Sequence, residues 1–266
     1  EYYHRGVVCH LIGQDLALPL DVELQRPGEG EVPAAKRLLE RVFANYPRYF
    51  DAVVGDGLYC EAPFINFCRA HRKDVVVVVK GEHRLLLQDA AGLFAQRPPD
   101  GQWVAEKRTV QYWDAEGFTS CEGAGPLRVL HSVETERRRE RIAAQWQESE
   151  NTSSWYWATT FSRGRLPARL LWQAGHWRWD IENGCFNSTS THWGLDHVFK
   201  HHPVAIVNFV LTLFLAFALL QCFWKRNLKP SFRKRFTLIA LGHELYASLV
   251  AAPYRHVCAL PPPRGP

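Results

Sequence analysis

Five consecutive valines, Val75 to Val79, set the tightest limit on how this chain folds. β-Branched side chains at every position leave no polar face for water, so the run reads as a strand covered on both sides. Such strands sit inside parallel or mixed sheets with helices packed above and below. The residues before the run fit that frame. Tyr3 to Ile12 and Leu16 to Leu24 are rich in Val, Leu and Ile, and the loop Gly13-Gln14-Asp15 between them predicts a hairpin. Glu31 to Tyr46 carries Val32, Ala35, Leu38, Leu39, Val42 and Phe43 on one stripe, and Pro47 ends this amphipathic helix. Phe50 to Val54 is a short apolar run and Ala62 to Arg72 a second helix. The first eighty residues therefore predict β-β-α-β-α-β, an α/β layered domain on a mixed sheet.

The pattern changes after Lys80. Trp103 to Trp113, Leu127 to Thr135 and Ser154 to Phe161 alternate like strands, so about 81–160 reads as a β-rich insertion. From Pro167, placed at a first helical position, a helix runs to about Cys185. Pro203 to Trp224 follows with only Asn208, Thr212 and Gln221 polar. That segment is long enough to span a bilayer, and equally suits the central helix of a large core. A basic stretch, a last helix over Phe236 to Ala251 and a Pro-rich end expected to be disordered complete the chain.

Charge permits a nucleic-acid partner without demanding one. Lys and Arg number 32 against 27 Asp and Glu, a net +5. Lys225, Arg226, Lys229, Arg233, Lys234 and Arg235 fall within 225–235, whereas Arg137, Arg138, Arg139 and Arg141 are diluted by Glu134, Glu136 and Glu140. Either run can be simply a solvated face. The seven cysteines form no Cys-x-x-Cys pair, which argues against a zinc finger or disulfide scaffold. The chain has no Met and opens on Glu1, so we read it as part of a longer protein.

Two acidic residues stand out. Asp56, between Gly55 and Gly57, ends a hydrophobic strand, where ligands approach an α/β sheet, and the glycines would let a metal or phosphate reach the backbone. The alternative is an ordinary Asp-Gly turn. Glu182 lies four residues after Arg178 on one helix face, with Trp172, Trp179 and Phe186 seating the helix. The alternative there is a surface ion pair. Asp180 faces away from Glu182, and Asp21 reads as structural. His176, His192, His197, His201 and His202 cluster loosely, and the spacing of His197 and His201 would suit a metal.

The blocks Val53 to Tyr59 and Arg178 to Asn183 resemble the second Asp and the Glu of DDE transposases from bacterial insertion sequences, over about residues 1–224. The element order matches as well. Arg178 and Glu182 fit the Tyr, Arg, Glu, Lys signature of insertion-sequence-4-type members, while Gly175 and Thr189 depart from its Tyr and Lys. The resemblance implies an RNase H-like mixed sheet flanked by helices in 1–224, with the β-rich insertion before the Glu-bearing helix, and a basic helical tail in 225–266. It implies Mg²⁺-dependent DNA cleavage and strand transfer, with two ions held by Asp56, Glu182 and a further Asp on a strand upstream of the hairpin. That strand would be missing here, leaving a fragment that is inactive alone. Arg178, Lys80, Lys225, Arg226, Arg233, Lys234 and Arg235 would contact double-stranded DNA, the transposon ends and target. A homodimer and a cytoplasmic, nucleoid-associated location fit the same picture. Two rivals stand beside it: a DNA-binding remnant without chemistry, and a membrane-anchored protein spanning at 203–224, which the resemblance makes secondary.

Overall fold

The valine run lies at the centre of a six-stranded sheet. In the computed structural model, which describes residues 4–81, 84–105, 107–142, 145–197 and 201–251, strand β4 covers Asp74–Val78. Val75, Val77 and Val79 join one hydrophobic cluster, and Val76 and Val78 join another on the opposite face. All five are at most 4% exposed, so the strand is covered on both sides as its composition requires.

The chain enters as an antiparallel hairpin, β1 (Gly6–Leu11) and β2 (Leu18–Leu24). Helix α1 (Glu31–Asn45) follows, then β3 (Ala52–Gly55), α2 (Ala62–Ala70) and β4. The expected β-β-α-β-α-β order is thus present. The hairpin forms a sheet of its own; β3 pairs parallel with β4 in a sheet ordered β3-β4-β8-β7-β6-β5. Helix α1 bridges the two sheets. Its Ala35, Leu39 and Phe43 pack in one cluster with Val7 and Cys9 of β1 and with Val53 of β3. Arg41 ties its outer side to Asp21 at 2.8 Å and to Glu23 at 2.7 Å, which gives Asp21 the structural part expected of it.

Residues 81–160 depart from a purely β insertion. They begin with a helix, α3 (Leu85–Ala95), whose Leu86, Ala90 and Phe94 are buried. The single strand expected over Trp103 to Trp113 is instead a hairpin of β5 (Gly101–Ala105) and β6 (Arg108–Phe118). β7 (Leu127–Ile142) and β8 (Gln145–Thr159) are long, and beyond Glu136 they pair, among the described residues, only with each other. A buried ion pair locks this sheet to the next segment. Arg128 on β7 grips both oxygens of Asp114 on β6 at 2.8 Å and donates to the Leu166 carbonyl.

The helical region begins at α4 (Ala168–Trp177), with Pro167 as its N-cap and not its first helical residue. A wide π-helical turn, Ile181–Phe186, leads into α5 (Asn187–Trp193). Helix α6 (Pro203–Cys222) is the one described helix long and apolar enough to cross a membrane. Val210, Leu213, Phe214 and Phe217 of its inner face pack with Val22 of β2 and Cys185 of the π turn. Gln221, a polar interruption, is a strut: it accepts from the Ala17 amide at 2.9 Å and donates to the Ala17 carbonyl at 2.8 Å. A second π turn (Phe223–Asn227), α7 (Pro230–Arg233) and α8 (Leu238–Ala251) complete the described chain. The Pro-rich end falls outside the described residues. Six cysteines, Cys9, Cys60, Cys68, Cys121, Cys185 and Cys222, are free thiols.

Candidate active site

Asp56 follows directly on β3, at the carboxyl end of a strand in the sheet. Its backbone is extended, and its side chain caps the 3₁₀ turn Gly57–Tyr59 by accepting from the Leu58 amide at 2.9 Å. The turn reading of Asp56 is therefore correct as far as it goes. The flanking glycines serve a different purpose from the one expected. A Cβ at Gly55 would lie 2.9 Å from the Tyr59 ring, and one at Gly57 would lie 3.2 Å from Cβ of Lys80. They make room for the Tyr59 ring and the Lys80 side chain.

Glu182 sits in the wide turn just after α4. Arg178, at the end of α4, donates to Glu182 Oε1 at 3.3 Å, so the i,i+4 pairing is present. The guanidinium also lies 4.0 Å over the Trp179 ring, while its Nε is buried with no hydrogen-bond partner. Wide turns of this kind occur often at functional positions. Here the turn also carries Ile181 and Phe186 against the rest of the fold.

Asp56, Arg178 and Glu182 line one cavity of about 390 Å³, between β1, β3, α1 and the π turn. Residues 126 positions apart are thus brought to a common space, with the guanidinium beside them. Two further polar residues share it that the sequence did not single out. Glu31, in the first turn of α1, accepts from the Tyr59 hydroxyl at 2.5 Å. Burial, and then that hydrogen bond to a carboxylate, push the Tyr59 phenol well above its usual range. His10 of β1 holds both ring nitrogens buried and without a partner, and burial lowers its pKa to about 4. An acidic first residue of a helix was the only available signal for Glu31; nothing local pointed to His10.

The other named residues lie apart. Lys80 is exposed beside Gly57, next to the cavity and not in its wall. Lys225 stands 4.0 Å from Asp15 in the hairpin loop, and neither it nor Arg226, Arg233, Lys234 or Arg235 lines the cavity. The loose histidine cluster is not a cluster. His176 binds Glu134 at 2.7 Å, and His201 is 3.4 Å from His4. Residues 198–200, between His197 and His201, are outside the described ones.

Glu134 itself is a centre that the sequence hid. This β7 carboxylate is 1% exposed, and its Oε1 accepts from Trp172 at 2.9 Å, from His176 and from Ser132. Burial pushes its pKa up, but the bonds from His176, Trp172 and Ser132 outweigh it and hold the carboxyl below its usual range. Trp172 and His176 both belong to α4, so Glu134 fixes the helix that ends at Arg178.

The carboxylates at the cavity offer oxygen donors, the choice of a hard divalent cation such as Mg²⁺, beside the ring nitrogens of His10. Two carboxylates with water and a substrate phosphate suffice for one such ion. Among the described residues no group of three His, Cys, Asp or Glu is placed to hold a metal, so a two-ion centre needs a carboxylate these residues do not supply.

In a comparison with known families, the family model described as transposase DDE domain fits residues 1–219. A comparison with curated proteins gives no match.

Proposed function

Because this chain belongs to the transposase DDE-domain family, we propose that it carries the catalytic face of an insertion-sequence transposase, which cleaves and joins DNA at element ends. The element order and the Arg178–Glu182 spacing favour an insertion-sequence-4-type relative, while Gly175 and Thr189 depart from its signature. Asp56 and Glu182 act as ligands for a divalent cation, and Arg178 binds a DNA phosphate. The observation that carries this reading is the shared cavity of Asp56, Arg178 and Glu182.

Each residue has a part suited to its chemistry. The Leu58 amide fixes one oxygen of Asp56 and so orients the carboxylate. Arg178 balances the charge of Glu182 and presents a planar fork to a phosphate oxygen pair. Its stacking on Trp179 holds that fork in place. A bound divalent cation would supply Lewis-acid polarisation of the phosphate and a more acidic attacking hydroxyl. Lys80 and the 225–235 run add contacts to the DNA backbone that carry no sequence information.

One observation favours a second reading, a DNA-binding protein without chemistry. Asp56, Glu182 and Glu31 share the cavity, but among the described residues no three acidic groups are placed to hold a metal together.

The experiment is a Mn²⁺ titration of the purified chain followed by electron paramagnetic resonance, with Asp56→Asn and Glu182→Gln beside the parent. Binding by the parent that falls at least tenfold in either variant supports the ligand assignment. Equal binding in all three chains overturns it. Nicking of plasmid bearing the element's ends, in Mg²⁺, separates the enzyme from the DNA-binding reading.

A further inference from the structure

One corner of the molecule combines cations with exposed hydrocarbon. Helix α6 buries Val210, Leu213, Phe214 and Phe217 against the hairpin and turns Leu215 and Leu219, each 61% exposed, to solvent. Phe223, at the start of the second π turn, is exposed as well. Around α7, the rings of Phe232 and Phe236 stack at 4.8 Å, and both stay exposed. Helix α8 then returns to α6, where a Cβ at Gly242 would lie 3.4 Å from Leu220. From His243 to Val250 every residue of α8 is exposed, Leu245, Tyr246, Leu249 and Val250 among them.

So much apolar surface gathered in one region marks a place of contact, and the charges beside it select the partner. No Asp or Glu occurs between Asp196 and Glu244, while Lys225, Arg226, Lys229, Arg233, Lys234 and Arg235 lie on the link from α6 to α8. Arg226, Lys229, Lys234 and Arg235 are exposed. A second copy packed about a two-fold axis would set this run against itself, with like charges meeting and no carboxylate between them. A DNA backbone satisfies the cations but leaves Leu215, Leu219 and the α8 side chains in water. A bilayer surface with negative headgroups answers both needs. Its acyl boundary takes up Leu and Phe side chains, and its headgroup phosphates attract Lys and Arg.

We propose that the α6–α8 corner docks peripherally on an anionic lipid surface. Helix α6 lies along that surface and does not cross it. Its inner face stays in the core, and Gln221 stays bonded to the amide and the carbonyl of Ala17. The cations are those proposed to touch the DNA backbone, so a duplex and a bilayer compete for this corner. Docking is independent of any chemistry at Asp56 and Glu182.

The test is co-sedimentation of the full chain with sucrose-loaded vesicles, either pure phosphatidylcholine or three parts phosphatidylcholine to one part phosphatidylglycerol. The expected result is at least tenfold tighter binding to the vesicles with phosphatidylglycerol. A double variant, Leu215→Gln with Leu219→Gln, changes only outward-facing positions. It should bind those vesicles at least fivefold more weakly and keep the parent's affinity for a DNA duplex, read by fluorescence anisotropy. Equal binding to both vesicle types, or none to either, overturns the proposal from the parent chain alone. A double variant that binds vesicles as the parent does, or loses duplex affinity in equal measure, overturns it as well. Sedimentation velocity without lipid completes the test: a monomer supports the proposal, whereas a parent dimer that the double variant splits puts a second copy on this face and overturns it.

Discussion

Replacing Glu134 tests how α4 is held. The Ala variant removes the acceptor for the Trp172 indole N–H, the His176 ring N–H and the Ser132 hydroxyl. Ser132 can turn to another acceptor, but Trp172 is buried and His176 partly so. Each buried donor left unpaired costs about 1–3 kcal/mol. With the Trp172 and His176 donors both left unpaired, Glu134→Ala should cost about 3–5 kcal/mol. Glu134→Gln keeps a carbonyl oxygen where Oε1 stood; it loses the charge and the Oε2 acceptor facing the half-exposed Arg108, so it should cost about 1 kcal/mol. The assay is urea unfolding at pH 7 followed by tryptophan fluorescence, with the slope held constant across variants. An Ala variant within about 1 kcal/mol of the parent, or a Gln variant as damaged as the Ala one, refutes the reasoning. The acid side gives a second check. The Glu134 pKa is lowered on folding, so its contribution is full above about pH 4.5, the unfolded value, and is lost as pH falls through the lower folded value.

Two further outcomes are expected. Gly175→Ala places a methyl 2.2 Å from Trp157 Nε1, in a core with no room behind it, and should destabilise by about 3 kcal/mol or lift α4 off the sheet; an unchanged urea midpoint would rule that packing out. His131 is stacked 4.0 Å from Tyr156 and 4.9 Å from Trp113, and burial lowers its pKa to about 4. The unfolded chain therefore takes up a proton near pH 6.5 that the folded chain refuses until about pH 4, so stability should fall as pH drops through that window. His131→Phe should flatten part of the slope, and an identical pH profile in the variant would count against it.

Reading the sequence recovered what depends on local pattern. The valine strand, the hairpin and α1 each announce themselves through side-chain period. The Arg178–Glu182 pairing is likewise a matter of spacing. What escaped depends on partners far along the chain. Glu134 and His176 are 42 residues apart, and each alone looks like an ordinary charged or polar residue. Gly55 and Gly57 suggested room for a ligand, but the space above them belongs to Tyr59 and Lys80. Leu85–Ala95 escaped as a helix because it opens a stretch dominated by strands. The β5–β6 turn is hidden because alternation continues on both sides of it.

The wide turn at Ile181–Phe186 makes one helical run serve two interiors. Before it, Leu171 and Trp172 belong with Leu130 and Trp157 under the large sheet; in its last residues, Cys185 and Phe186 belong with Val22 and Phe214 under the hairpin. A regular helix keeps a single stripe and would have to strand one of these sets in water. An extra residue per turn swivels the stripe, and Glu182 rides on the swivel. Its aim is therefore set jointly by both halves of the molecule, so a shift between them would be felt first at that carboxylate.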